Sequence, residues 1–257
     1  MRTLIRALCV VAALWAGAAL AAPLDPAKIA AIDKAADTFL ARTKDTYRTA
    51  QVPRESDPKV KALLDTVFDT SALAAGGPVP FSDLSKLNDW TMKVVSVGSV
   101  YIFAGTGIPD FAHLSTLDEK QQEQIVKNTV AYAPEMGRYF DAEVRLEKAL
   151  VDSAMAELTA HPASFQNPQA QGGLTKMRDG LKQTLTGVIA TFLTPGLDIG
   201  WIRARIPALI EIAPSAVKFL SPEARQELRD IAHQVAGQLD DEAAKNGLAN
   251  FAQAIGL

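Results

Sequence analysis

Apolar residues recur at three- and four-residue steps through most of this chain, which predicts amphipathic helices. Ile29, Ile32, Ala36, Phe39, Leu40, Thr43 and Tyr47 make the first stripe. Asp25-Pro26 opens it as cap and first helical residue, and Pro53 ends it. Asp57-Pro58 opens a shorter helix with Val60, Leu63, Leu64, Val67 and Phe68 inward. The glycines and prolines of residues 69–82 break the pattern. Ser82 then caps a helix through Ala104, whose half from Val94 onward carries no charge on any side. Such a segment is a core helix or a membrane span, and eleven residues fall far short of ~30 Å of hydrocarbon. Residues 84–104 are therefore read as the central buried helix, with a strand as the alternative for the β-branched run.

Gly105 and Gly107 read as a helix C-cap, and Thr116 with Glu119 as a capping box before a helix holding Ile125, Val126 and Val130. Pro134 marks a kink or break. Met136, Phe140, Val144, Glu147, Val151, Met155 and Leu158 then step evenly to His161-Pro162, with Glu147 the one acidic residue on an inward stripe. Residues 162–173 are the most linker-like stretch. Beyond them come a helix from Leu174 to Phe192, a segment capped by Asp198 with Pro207 inside it, a short helix from Pro214, a long one from Ser221-Pro222, and a last turn or two around Leu248, Phe251 and Ile255. Asn246-Gly247 reads as a helix C-cap. No alternating strand pattern with hairpin chemistry appears, nor a repeat of solenoid length. The expectation is an all-α, irregular multi-helix bundle.

The first residues change the picture. Arg2 and Arg6 precede an apolar run from Ala7 to Ala16, and Ala19-Leu20-Ala21 offers a small-x-small cleavage site. Residues 1–21 are read as a signal peptide, with a retained N-terminal anchor as the alternative. The single all-α domain is expected over residues 22–257, with 162–173 as a candidate internal linker. Cys9 is the chain's one cysteine and lies inside the apolar run, so the processed protein has no disulfide, thiolate nucleophile or cysteine ligand. The compartment implied is a bacterial periplasm or the exterior.

Composition narrows the partners. The 257 residues are 48% hydrophobic and 21% charged, which fits a globular chain, and the net charge of −3 becomes −5 when Arg2 and Arg6 leave. A pI near 5.7 gives no basic footprint for nucleic acid. Lys28, Lys34, Arg42, Lys44, Arg48 and Arg54 are interleaved with acids and read as a solvated face.

The candidate chemistry is sparse. His-Glu-x-x-His, Gly-x-Ser-x-Gly, phosphate-loop and calcium-loop patterns are missing, and no cofactor is expected. Asp110-Phe-Ala-His113 and Asp230-Ile-Ala-His233 each place a carboxylate three residues before a histidine, on one helix face, where the pair can share a metal or simply bond at the surface. Between Leu185 and Ile202 the only charge is Asp198. That apolar density is core, or it borders a pocket for an acyl chain or membrane surface, with Trp201, Arg203 and Arg205 meeting the ligand. Pro195, Gly196 and Asp198 exclude a span there, leaving at most a peripheral membrane contact. Trp90, Tyr101, Tyr132 and Tyr139 read as core amphipaths, Tyr101 also as a candidate ligand contact.

The sequence thus points to an exported, non-enzymatic helical protein that binds a protein partner or an apolar, lipid-like ligand. The alternative is a periplasmic hydrolase or metal-dependent enzyme using the Asp-x-x-His pairs. N-terminal sequencing of the exported protein should begin at Ala22; retention of Met1 would establish the anchor instead.

Overall fold

Helix starts are set by side-chain caps. In the computed structural model, which describes residues 23–74, 78–111 and 117–256, Asp25, Asp57, Asn167, Asp198, Ser221 and Asp241 each accept a backbone N–H from the first turn of the helix they precede. The resulting order is α1 (Pro26–Thr43), α2 (Thr46–Thr49), α3 (Pro58–Val67), α4 (Ser71–Ala74), α5 (Leu84–Ile102), α6 (Glu119–Ala131), α7 (Ala133–Ala160), α8 (Pro168–Thr191), α9 (Ile199–Phe219), α10 (Pro222–Gln238) and α11 (Glu242–Ile255). Short 3-10 turns cover Phe81–Asp83 and Pro162–Phe165. Among the described residues there is no strand, so the all-α multi-helix fold expected from the stripes is the fold observed. The leader at 1–21, Gly76, Gly77, His113 and Thr116 lie outside the described residues.

The long helix α7 organises the packing. It lies against α5 on one side, α9 on another and α8 on a third. Helices α1 and α3 complete the α5 side, while α10 and α11 complete the α9 side. One cluster of buried apolar side chains runs from Leu24 to Ile255. The charge-free half of α5 has no exposed residue, as expected of a central helix.

Several boundaries differ from expectation. The first stripe is two helices, because the chain turns at Lys44 and Asp45 before α2. Asp118, not Thr116, caps α6, in a reciprocal box with Gln121. The break marked by Pro134 falls at Tyr132, and Pro134 itself sits in the first turn of α7, which has no use for the missing N–H. Asn167-Pro168 starts α8, so most of the expected linker at 162–173 is helical. Pro207 and Pro214 both sit inside one continuous α9, whose buried face outweighs two lost hydrogen bonds. The last turn or two is the full helix α11.

Glycines mark the closest helix approaches. Gly247 is not a cap but lies within α11, where a Cβ would overlap the Ile206 side chain of α9. A Cβ at Gly98 of α5 would overlap the Tyr139 ring, and one at Gly137 of α7 would overlap the Arg205 guanidinium. Gly105 and Gly107 take positive φ after α5, consistent with a C-cap, and donate to the Thr46 and Tyr47 carbonyls. The aromatic amphipaths behave as core: Trp90 Nε1 donates to the Val67 carbonyl at 3.1 Å, Tyr101 to that of Pro53 at 3.1 Å and Tyr132 to that of Ala50 at 2.9 Å.

Gly98→Ala should lower stability, because overpacking costs about 1–3 kcal/mol while the helix-propensity gain is about 1 kcal/mol. Gly180→Ala in α8, where a Cβ meets open space, should raise it. Urea midpoints moving in the same direction for both variants would refute this account of the helix spacing.

Candidate functional site

The apolar run from Leu185 to Ile202 turns a corner. Leu185, Val188 and Ile189 bury the end of α8, Gly196 turns the chain at positive φ, and Asp198 caps α9 through the Trp201 N–H. Beside this corner runs the α10–α11 connection, Leu239-Asp240-Asp241, where Asp241 caps α11. Between the two connections opens a groove of about 610 Å³. Phe192, Leu193, Leu197, Ile199, Ile202 and Leu239 supply its apolar lining, and Thr194, Gln238, Asp240 and Asp241 its polar edge. Ile199 is 36% exposed, and Val130 of α6, 37% exposed, approaches the same corner across Gly196. Single exposed apolar residues are ordinary, so it is the concavity beside Ile199 that makes this corner the candidate binding surface.

Trp201 forms the wall behind this groove. Its ring meets Phe192 and Phe140 edge-on, and its Nε1 donates to the Ala133 carbonyl at 2.6 Å. The two neighbouring arginines point elsewhere. Arg203 lies on the surface and clasps Asp241 through Nε and Nη2, one edge of its guanidinium. That clasp, with the backbone N–H of Ala244, holds the Asp241 carboxyl down at about 2. Arg205 turns inward, over the Trp201 ring at 4.6 Å, and bonds Asp141 of α7 at 3.2 Å. Burial raises the Asp141 carboxyl despite that partner. Trp201, Arg203 and Arg205 therefore do not converge on one ligand position. Tyr101 lies in the core on the α5 side, against Phe39 and Tyr132.

Asp110, Asp230 and His233 are not among the residues that line the groove. Asp230 and His233 are exposed on α10, with Asp230 accepting from Gln226 at 2.7 Å. Asp110 is exposed beside a smaller cleft of about 290 Å³ bordered by α1, α2 and α5. Among the described residues no three His, Cys, Asp or Glu side chains gather as a metal site.

Two carboxylates inside the bundle carry unusual electrostatics. Glu143 and Glu147 lie one turn apart on α7, and Glu143 is only 7% exposed. The Thr184 hydroxyl of α8 donates to Glu143 at 3.3 Å, and the Tyr139 hydroxyl also favours its charged form. Among the described residues no cation pairs with either: Arg145 turns to Thr70, Lys148 to Asp152, Lys182 of α8 to Glu227, and Arg178 to the Phe219 carbonyl. Burial pushes Glu143 up to about 7, and burial plus the Glu143 charge does the same for Glu147. The even stripe that made Glu147 conspicuous also contains the signal for Glu143, which lies at i−4 on the same face. Glu135 is a second buried carboxylate that the pattern does not reveal. It accepts from Arg54 at 3.2 Å and from the Glu55 N–H at 3.0 Å; Arg54 is itself exposed, as a solvated face predicts, and reaches this carboxylate from the surface.

No known protein family matches the chain, and no curated protein or solved structure is detectably similar to it.

The glutamate pair makes stability depend on pH in a stated direction. A carboxyl raised from about 4.5 to about 7 holds its proton more tightly in the folded state, so its stabilising contribution is full below 4.5 and lost as pH rises through 7. The shift at Glu143 is worth on the order of 3 kcal/mol. The carboxyls of Asp65, Asp69, Asp83 and Asp241 are lowered and act oppositely, but only at more acid pH. Unfolding free energy should therefore fall between pH 5 and pH 8, and Glu143→Gln should flatten that slope. An unchanged slope in the variant would show that Glu143 is ionised throughout.

Proposed function

We propose that the protein is exported by its N-terminal leader and acts in the periplasm as a non-enzymatic binding protein, its groove taking apolar side chains of a partner protein. The groove at the α8–α9 corner carries this proposal. It sets apolar side chains beside a polar edge, leaves Ile199 exposed, and is formed in part by the apolar run between Leu185 and Ile202. A partner segment fits better than a lipid headgroup, because the guanidiniums nearest the groove are already held by Asp241 and Asp141. Among the described residues no helix is long and apolar enough to cross a membrane. Asp230 and His233 give the metal-enzyme alternative no support, since both face solvent without a third ligand beside them.

An uncharged apolar dye, N-phenyl-1-naphthylamine, probes the groove directly. Ile199→Asp should weaken dye binding by about tenfold, as expected for losing most of one buried aliphatic side chain's contact. Circular dichroism and the unfolding midpoint should stay unchanged, because Ile199 begins a helix where an acidic residue is well tolerated. Ile210→Asp, on an exposed part of α9 away from the groove lining, should leave dye binding intact. Equal dye affinity in wild type and Ile199→Asp would remove the groove from consideration.

A further inference from the structure

The charges at the groove edge select among apolar partners. Asp198, Asp240, Asp241 and Glu242 gather where α9 and α11 begin. Two of these are neutralised locally: Asp241 by Arg203, and Glu242 by Lys245 at 2.9 Å. Asp198 spends one oxygen on the Trp201 N–H, which leaves its charge in place. Asp240 is exposed and makes no hydrogen bond or ion pair among the described residues. No lysine or arginine lines the groove. The helix starts contribute roughly half a positive charge each, confined to their first turns, where Asp198 and Asp241 already sit as caps. The edge therefore keeps a negative potential beside an apolar floor.

A negative edge repels phosphate and carboxylate groups and attracts ammonium and guanidinium groups, most strongly where the floor excludes water. Given that the groove is the binding site, we propose that its occupant is a partner-protein segment that seats an apolar side chain on Leu197 and Ile199 and sets a lysine or arginine against Asp240 and Asp198. The apolar contact supplies most of the affinity, and the charge contact supplies selectivity and a salt-sensitive association rate. The chain's own negative charge reinforces that attraction at longer range.

Two amidated amphipathic peptides, identical except for lysine or glutamate beside their leucines, test this by displacement of the dye. At low salt the lysine peptide should bind about tenfold more tightly than the glutamate peptide, and the gap should close as the Debye length shrinks toward ~3 Å in molar salt. Asp240→Lys should invert the preference between the two peptides. Equal affinity of the two peptides overturns the charge selection but leaves the groove standing, because the dye and Ile199→Asp report on the groove alone. Failure of both peptides to displace a bound dye overturns the partner-segment proposal. Displacement of the dye by phosphatidylglycerol vesicles, with no preference for the lysine peptide, overturns it in favour of an anionic membrane surface.

Discussion

The structure depends on the enclosure of α7. A 28-residue helix with neighbours on three sides must satisfy inside the protein nearly every polar group it carries, because water cannot do so. Toward α5 it packs through apolar contact, with Gly98 against the Tyr139 ring, while its other neighbours are met through specific polar contacts. Toward α9, Asp141 meets Arg205 and Asp152 accepts from the Ser215 hydroxyl at 2.6 Å. Toward α8, Glu143 meets Thr184. At its start, Glu135 and the Ala131 carbonyl just before it are both taken by Arg54, which draws residues 50–55 against the α6–α7 junction. Apolar burial supplies the driving force for association of these helices, while the polar contacts select one arrangement among many that bury similar area.

Such contacts are poor sources of stability in their own right. Removing a charge from water costs several kcal/mol, and the Thr184 and Tyr139 hydroxyls do not recover that at Glu143. The bundle carries this cost because it falls on a helix whose other positions are packed by Met136, Phe140, Val144, Leu146 and Val151. The apolar corner at residues 185–202 shows the opposite economy. There most of the apolar run is buried, and Ile199 is left exposed at the groove.

Fold class was legible in the sequence because three- and four-residue steps and Asp-Pro, Asn-Pro and Ser-Pro openings are local signals. Most helix bodies follow from them. Expectation and structure part where tertiary packing overrides a local rule: Pro214 stays within α9 instead of starting a helix, and Gly247 lies inside α11, because a neighbouring helix and not the local chain decides those positions. The groove was half legible. Its first wall is the apolar run noticed in the sequence, but its second wall, Gln238 to Asp241, lies some forty residues away and carries no pattern of its own. Side-chain direction was not legible at all. Arg203 and Arg205 are two residues apart, which on a helix places them on different faces, one on a surface aspartate and the other in the interior.

The close helix approaches have a consequence for how this chain can change over time. Gly98 faces the Tyr139 ring, Gly137 faces Arg205 and Trp201, and Gly247 faces Ile206, each without room for one further carbon. A substitution on either side of such a contact is tolerated only with a compensating loss of volume on the other. Chains descended from a common ancestor with this bundle should therefore vary at these positions in concert, a larger residue at 247 accompanied by a smaller one at 206. Those paired exchanges would trace the helix spacing in relatives whose surfaces had diverged beyond recognition.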